Sequence, residues 1–169
     1  STTGHGIFNT ISNNLMRTTN VNSPGPAYGI TCTGSTSTYT STAQNNTISG
    51  NTIQNFYYMA VYMFYTNGNQ VLNNDISRAN SSIYNSSATL YGIYSYYSYA
   101  ANRSTKLDGN NLHDWPFVGS TPANSQSSTY AFYTYQNQGL NNTTNRFSIS
   151  NNTIKNLTSY YNHYHGYVY

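Results

Sequence analysis

The sequence runs to 169 residues, enough for one domain with a continuous core, yet only 5% of them are charged, where an average soluble domain carries roughly 25%. Its net charge of +3 comes from six scattered basic residues, Arg17, Arg78, Arg103, Lys106, Arg146 and Lys155, which argues against a phosphate-neutralising stripe and so against nucleic acid as a partner. A single cysteine, Cys32, cannot build a disulfide framework or a zinc site, and no run approaches the roughly 20 apolar residues of a bilayer-crossing helix, so membrane insertion is not expected.

Along the chain, two short patterns alternate. Gly6-Ile7-Phe8 is followed by Ile11-Ser12-Asn13-Asn14-Leu15-Met16, and Gly29-Ile30-Thr31 by Ile48-Ser49-Gly50-Asn51-Thr52-Ile53. Ala60-Val61-Tyr62 then precedes Val71-Leu72-Asn73-Asn74-Asp75-Ile76, and Gly92-Ile93-Tyr94 precedes Leu107-Asp108-Gly109-Asn110-Asn111-Leu112. Ala131-Phe132-Tyr133 leads to Ile149-Ser150-Asn151-Asn152-Thr153-Ile154, and Gly166-Tyr167-Val168 completes the series. The repeat averages about 32 residues, and the excess falls in Ser/Thr/Asn-rich runs, 33–46, 79–90, 97–105, 118–129 and 136–146, which are expected to be loops.

Within each unit the apolar residues follow a period of two, are rich in Ile, Val, Tyr and Phe, and are bounded by Asn, Gly and Ser, which predicts strands. No segment sustains a helical period. A short strand that cannot bury its apolar side alone does so by stacking beside its copy in the next coil. The expected fold is therefore all-β: a right-handed parallel β-helix of about five to six coils with Ser/Thr/Asn-rich insertions and no obvious caps, spanning residues 1–169 as a single domain.

The two apolar ends of apolar-x-(Asn/Gly)-Asn-x-apolar are five residues apart, so one straight strand would point them to opposite sides. The chain must bend between them, and Gly and Asn tolerate the left-handed conformation that such a bend needs. A column of Asn14, Asn51, Asn74, Asn110 and Asn152 is expected at this turn, passing amide hydrogen bonds from coil to coil. With Gly-Ile-Tyr strands alternating with turns such as Ile149 to Ile154, the whole chain resembles the parallel β-helix repeats of the pectate-lyase-like superfamily, in the version found in large secreted and surface bacterial proteins. That resemblance implies an architecture more than an activity, because this scaffold carries lyases, hydrolases, adhesins and passive stalks.

Catalysis on such a scaffold needs converging carboxylates. The three acids, Asp75, Asp108 and Asp114, do not fall in register as a set and are read as turn-capping groups. His163 and His165 would share one strand face, but without a third ligand they are read as surface residues, and neither a metal nor another cofactor is expected. Cys32, between Thr31 and Thr33, is read as a buried, inert thiol.

Counting outward from the small residue of each Gly/Ala strand gives an exposed column of Phe8, Thr31, Tyr62, Tyr94, Tyr133 and Val168, flanked by Thr33, Phe64, Tyr96 and Tyr135. The rungs Tyr62/Phe64, Tyr94/Tyr96 and Tyr133/Tyr135 offer either a carbohydrate-stacking or lateral-contact surface or a face that loops cover. Glycosylation sequons stand at Asn45, Asn80, Asn85, Asn102, Asn141, Asn142, Asn151 and Asn156, where glycans would hydrate a nearly uncharged surface. The chain starts at Ser1 and has Gly-strands near both ends, so either end-to-end self-association or continuation into a longer chain is expected. Together these features suggest a secreted or cell-surface structural or adhesive solenoid rather than an enzyme. A carbohydrate-binding or polysaccharide-degrading β-helix is the alternative, and ice binding, prompted by Thr31-Cys32-Thr33, ranks last because that pattern does not recur.

Overall fold

The computed structural model describes residues 8–17, 26–35, 43–78, 89–100, 103–115, 129–135 and 144–157, and these contain strands and turns with no helix. The strands are β1 (Thr10–Ser12), β2 (Leu15–Arg17), β3 (Tyr28–Thr33), β4 (Ala43–Gln44), β5 (Thr47–Ser49), β6 (Thr52–Gln54), β7 (Met59–Asn67) and β8 (Gln70–Leu72). They continue as β9 (Asp75–Ser77), β10 (Leu90–Tyr99), β11 (Thr105–Asp108), β12 (Asn111–Trp115), β13 (Thr129–Tyr135), β14 (Phe147–Ser150) and β15 (Thr153–Leu157). Three sheets collect one strand from each successive coil: β1-β5-β8-β11-β14, β2-β6-β9-β12-β15, and β3-β7-β10-β13 with β4 added against the end of β7. Every pairing is parallel. The protein is a parallel β-helix solenoid, and its described residues supply five rungs to the first two sheets and four to the third.

Register explains why such short strands hold. Ile11, Ile48, Val71, Leu107 and Ile149 lie over one another in the first sheet. Met16, Ile53, Ile76, Leu112 and Ile154 do so in the second, and Ile30, Val61, Ile93 and Phe132 in the third. The middle members are completely buried, each removing apolar surface that stabilises by about 1.5–3 kcal/mol. A strand of three residues contributes a single core side chain, so it is stable only because copies lie above and below it. Trp115 closes one corner of the core, its ring edge against Phe56 at 5.3 Å and its indole N–H donating to the Ile76 carbonyl at 3.2 Å. A Cβ on Gly92 would lie 2.7 Å from the Trp115 ring and 2.6 Å from the Ala131 carbonyl oxygen. That crowding is the physical reason for the small residue near the start of β10.

Three expectations need correction. The run 97–105 is not a loop throughout, because β10 continues to Tyr99 and β11 starts at Thr105. Tyr97 adopts φ 51°, which turns the strand around a corner instead of ending it. Within 33–46, likewise, β4 returns to pair with Thr66 and Asn67. Phe8 does not share the column of Thr31 and Tyr62: its N–H donates to the Gln44 carbonyl at 3.0 Å and its φ is 57°, which places it at the same corner as Asn45. Residues 6–7 and 166–168 lie outside the described residues.

Candidate functional site

The bend between the first and second sheets is built as its spacing requires. Asn13, Gly50, Asn73, Gly109 and Asn151 all have positive φ, between 53° and 68°, and each is followed by a ladder asparagine. Each ladder backbone N–H donates to the side-chain oxygen of the next rung's Asn: Asn14 to Asn51 at 3.1 Å, Asn51 to Asn74 at 3.0 Å, Asn74 to Asn110 at 3.0 Å and Asn110 to Asn152 at 2.8 Å. The side-chain Nδ2 of each donor residue reaches the same oxygen at 2.9–3.0 Å. From Asn51 onward, Nδ2 also donates back to the preceding rung, to the carbonyls of Ile11, Ile48, Val71 and Leu107. One amide thus satisfies several buried backbone groups per coil, which is why Asn51, Asn74 and Asn110 are buried without penalty. The left-handed column alternates Asn and Gly for a steric reason. A Cβ on Gly50 would lie 2.5 Å from Asn13 Oδ1, and one on Gly109 would lie closer still to Asn73 Oδ1.

A second asparagine column, not anticipated from the sequence, stands at the corner leading into the first sheet. Asn9 N–H donates to Asn46 Oδ1 and Asn46 N–H to Asn69 Oδ1, both at 2.9 Å. Its signal was the same doublet, Asn45-Asn46 and Gly68-Asn69, placed five residues before the doublet of the motif that was recognised.

On the outer side of the third sheet, Tyr62, Tyr94 and Tyr133 share one column and Phe64, Tyr96 and Tyr135 another, as expected. The rings stack on one another along the solenoid: Tyr94 on Tyr133 at 4.8 Å and 10°, Tyr96 on Tyr135 at 4.8 Å and 17°, Phe64 on Tyr96 at 5.4 Å and 24°. Tyr91 and Tyr130 pair beside them, stacked at 5.3 Å and 9°, and Tyr58 meets Tyr91 edge-on at 5.7 Å and 84°. In these stacks the ring faces cover each other, whereas Tyr91 meets Tyr94 edge-on at 5.0 Å and 89°. Burial, and then the neighbouring phenols, push Tyr91 up to about 12 and raise Tyr94 too, so these two phenols keep their protons.

No two of the three acids are register partners among the described residues. Asp108 accepts from Ser150 Oγ at 2.6 Å and Asn151 Nδ2 at 2.9 Å, bonds that hold its carboxyl below the usual range. Its partners are thus side chains of the next rung. Asp75 and Asp114, however, converge on His113, at 2.9 Å from Nε2 and 2.7 Å from Nδ1. This meeting escapes a reading of local motifs, because Asp75 and His113 lie 38 residues apart on adjacent rungs. Among the described residues no group of His, Cys, Asp or Glu has the geometry of a metal site. Cys32 is buried, and burial pushes its thiol up to about 11; it lines a cavity of about 440 Å³ with Ile11, Thr31 and Ala43. Such a thiol stays protonated and is a poor nucleophile.

Of the sequons, Asn45 is 7% exposed, whereas Asn151 and Asn156 are exposed with their amides donated to Asp108 and Asp114. Asn80, Asn85, Asn102, Asn141 and Asn142, like His163 and His165, lie outside the described residues. No protein-family model, curated protein or solved structure matches this chain.

Proposed function

We propose that this chain is a structural or adhesive β-solenoid, a secreted or cell-surface stalk or filament element without enzymatic activity of its own. The observation that carries this reading is where the polar and aromatic side chains go. The buried asparagines of the ladder are committed to the coils before and after them, and the tyrosine rings to one another. A scaffold built this way gains length by adding rungs. The likeness to the pectate-lyase-like superfamily fits the reading, with right-handed winding and partners that are further coils, either a second copy or more of the same polypeptide. Glycans at exposed sequons such as Asn151 and Asn156 would hydrate a surface that has few charges.

A carbohydrate-binding or polysaccharide-degrading β-helix is the second reading, favoured by the tyrosine-rich outer face. Sugars stack on open aromatic faces, and here neighbouring rungs occupy one another's ring faces along the columns, which supports the scaffold over the sugar platform. Electron microscopy of the purified chain, paired with screening against neutral and acidic polysaccharides, tests the choice. Uniform rods or filaments with no turnover are expected. Compact particles that degrade a polysaccharide, with turnover lost on substituting Asp75 or Asp114, would overturn the proposal.

A further inference from the structure

Outside the ladders and the aromatic columns, one cluster links successive rungs of the second sheet by charge. His113 on β12 points Nε2 at Asp75 Oδ1 of β9, 2.9 Å away, and Nδ1 at Asp114 Oδ2, 2.7 Å away. An ionised carboxylate only accepts hydrogen bonds. Both contacts are therefore hydrogen bonds at once only when both ring nitrogens carry hydrogen, which is the imidazolium form. In neutral histidine one nitrogen presents a lone pair to a carboxylate oxygen at under 3 Å. Neither acid is free to swing away without loss, because Asn111 Nδ2 holds Asp75 at 2.8 Å and Asn156 Nδ2 of β15 holds Asp114 at 2.7 Å.

The remaining groups around the ring do not replace this arrangement. Ser77 of β9 and Lys155 of β15 are the register partners of His113 on either side, and the charge of Lys155 favours ionised Asp114. Arg78, which follows Ser77, turns into the core, where Nε donates to the Phe56 carbonyl at 2.9 Å.

We propose that His113, Asp75 and Asp114 form a pH-operated latch, which ties β12 to β9 while the imidazole is protonated and slackens that seam when the proton leaves. The device goes beyond the scaffold reading and holds whether or not the chain assembles into rods.

Burial of the ring opposes its charge, but the hydrogen bonds to Asp114 and Asp75 and their negative charges outweigh it, and His113 keeps its proton above the usual 6.5. A folded-state value raised in this way contributes stability that is complete below about 6.5 and is lost as pH rises through the raised value. Asp114 works in the opposite sense. The bonds from Asn156 and His113 hold its carboxyl below the usual 3.8, so its share is present above that value and is lost as pH falls through the lowered one. The latch is closed between these limits.

An NMR titration of the intact chain, with thermal unfolding followed across the same pH range, tests the proposal. One imidazole signal, identified by its absence in His113→Gln, is expected to titrate above 6.5 and to show both nitrogens protonated in the acid arm. The melting midpoint of the wild type is expected to fall from about pH 5 to about pH 9 by more than that of His113→Gln, in which His5, His163 and His165 remain. Asp75→Asn, which keeps the imidazole, is expected to lower the His113 midpoint, and it supplies the answer if His113→Gln does not fold. A His113 midpoint at or below 6.5, an Asp75→Asn midpoint unchanged from wild type, or identical pH profiles for wild type and His113→Gln would each overturn the latch.

Discussion

Two corners of this solenoid use the same residue with different success. At the corner between the first and second sheets, the asparagine column runs unbroken from Asn14 to Asn152. At the corner leading into the first sheet, the column of Asn9, Asn46 and Asn69 stops where Thr105 takes the next place in register, and Asn69 Nδ2 is buried with no hydrogen-bond partner among the described residues. The threonine hydroxyl turns the other way and donates to the Tyr99 carbonyl at 2.6 Å. An amide ladder thus satisfies its members only if the next coil repeats the residue, because each asparagine passes the unmet bond onward.

The most severe way to break the contrast is to interrupt the good corner. Asn74→Ala removes the acceptor for the N–H and Nδ2 of Asn51 and the donor to Ile48 O and Asn110 Oδ1. Several buried groups are then orphaned together, which costs about 3–5 kcal/mol, and the urea midpoint should fall accordingly. A smaller loss follows from filling the space that the alternation leaves open. Gly109→Ala at φ +68°, with Asn73 Oδ1 in the way, should cost about 2 kcal/mol, part of which Asn73→Gly should restore in the double variant. The smallest effect has the opposite sign. Thr105→Asn gives Asn69 the neighbour it lacks, loses the bond to Tyr99, and should stabilise by about 1 kcal/mol or less in the same denaturant assay. A loss as large as that of Asn74→Ala would mean that the weak corner is not an interrupted ladder at all.

The strong corner was legible because its chemistry is local and periodic: a left-handed residue, then an asparagine, between apolar residues that face inward. The inward column Ile30, Val61, Ile93 and Phe132 and the outward Tyr62, Tyr94 and Tyr133 were legible for the same reason, since period two fixes the face. Phe8 escaped because Gly-Ile-Phe mimics the Gly-strand while its backbone bonds place it at a corner. Tyr65 and Tyr97 were also hidden. Nothing in a tyrosine announces φ 52° and 51°, and the stack of their two rings at 4.9 Å and 5° exists only once β7 and β10 are adjacent. The meeting of His113 with Asp75 likewise depends on loop lengths that set which rungs become neighbours, and composition does not encode those lengths.

Everything rests on coils stacked in parallel register, and the side-chain amides of the ladder report on that register directly. In a nuclear Overhauser spectrum of the labelled chain, the Nδ2 protons of Asn51 should contact those of Asn74, and those of Asn74 should contact Asn110, with the three backbone amides strongly protected from exchange. Rapid exchange at these amides, or cross-strand contacts of an antiparallel pair between β5 and β8, would contradict it.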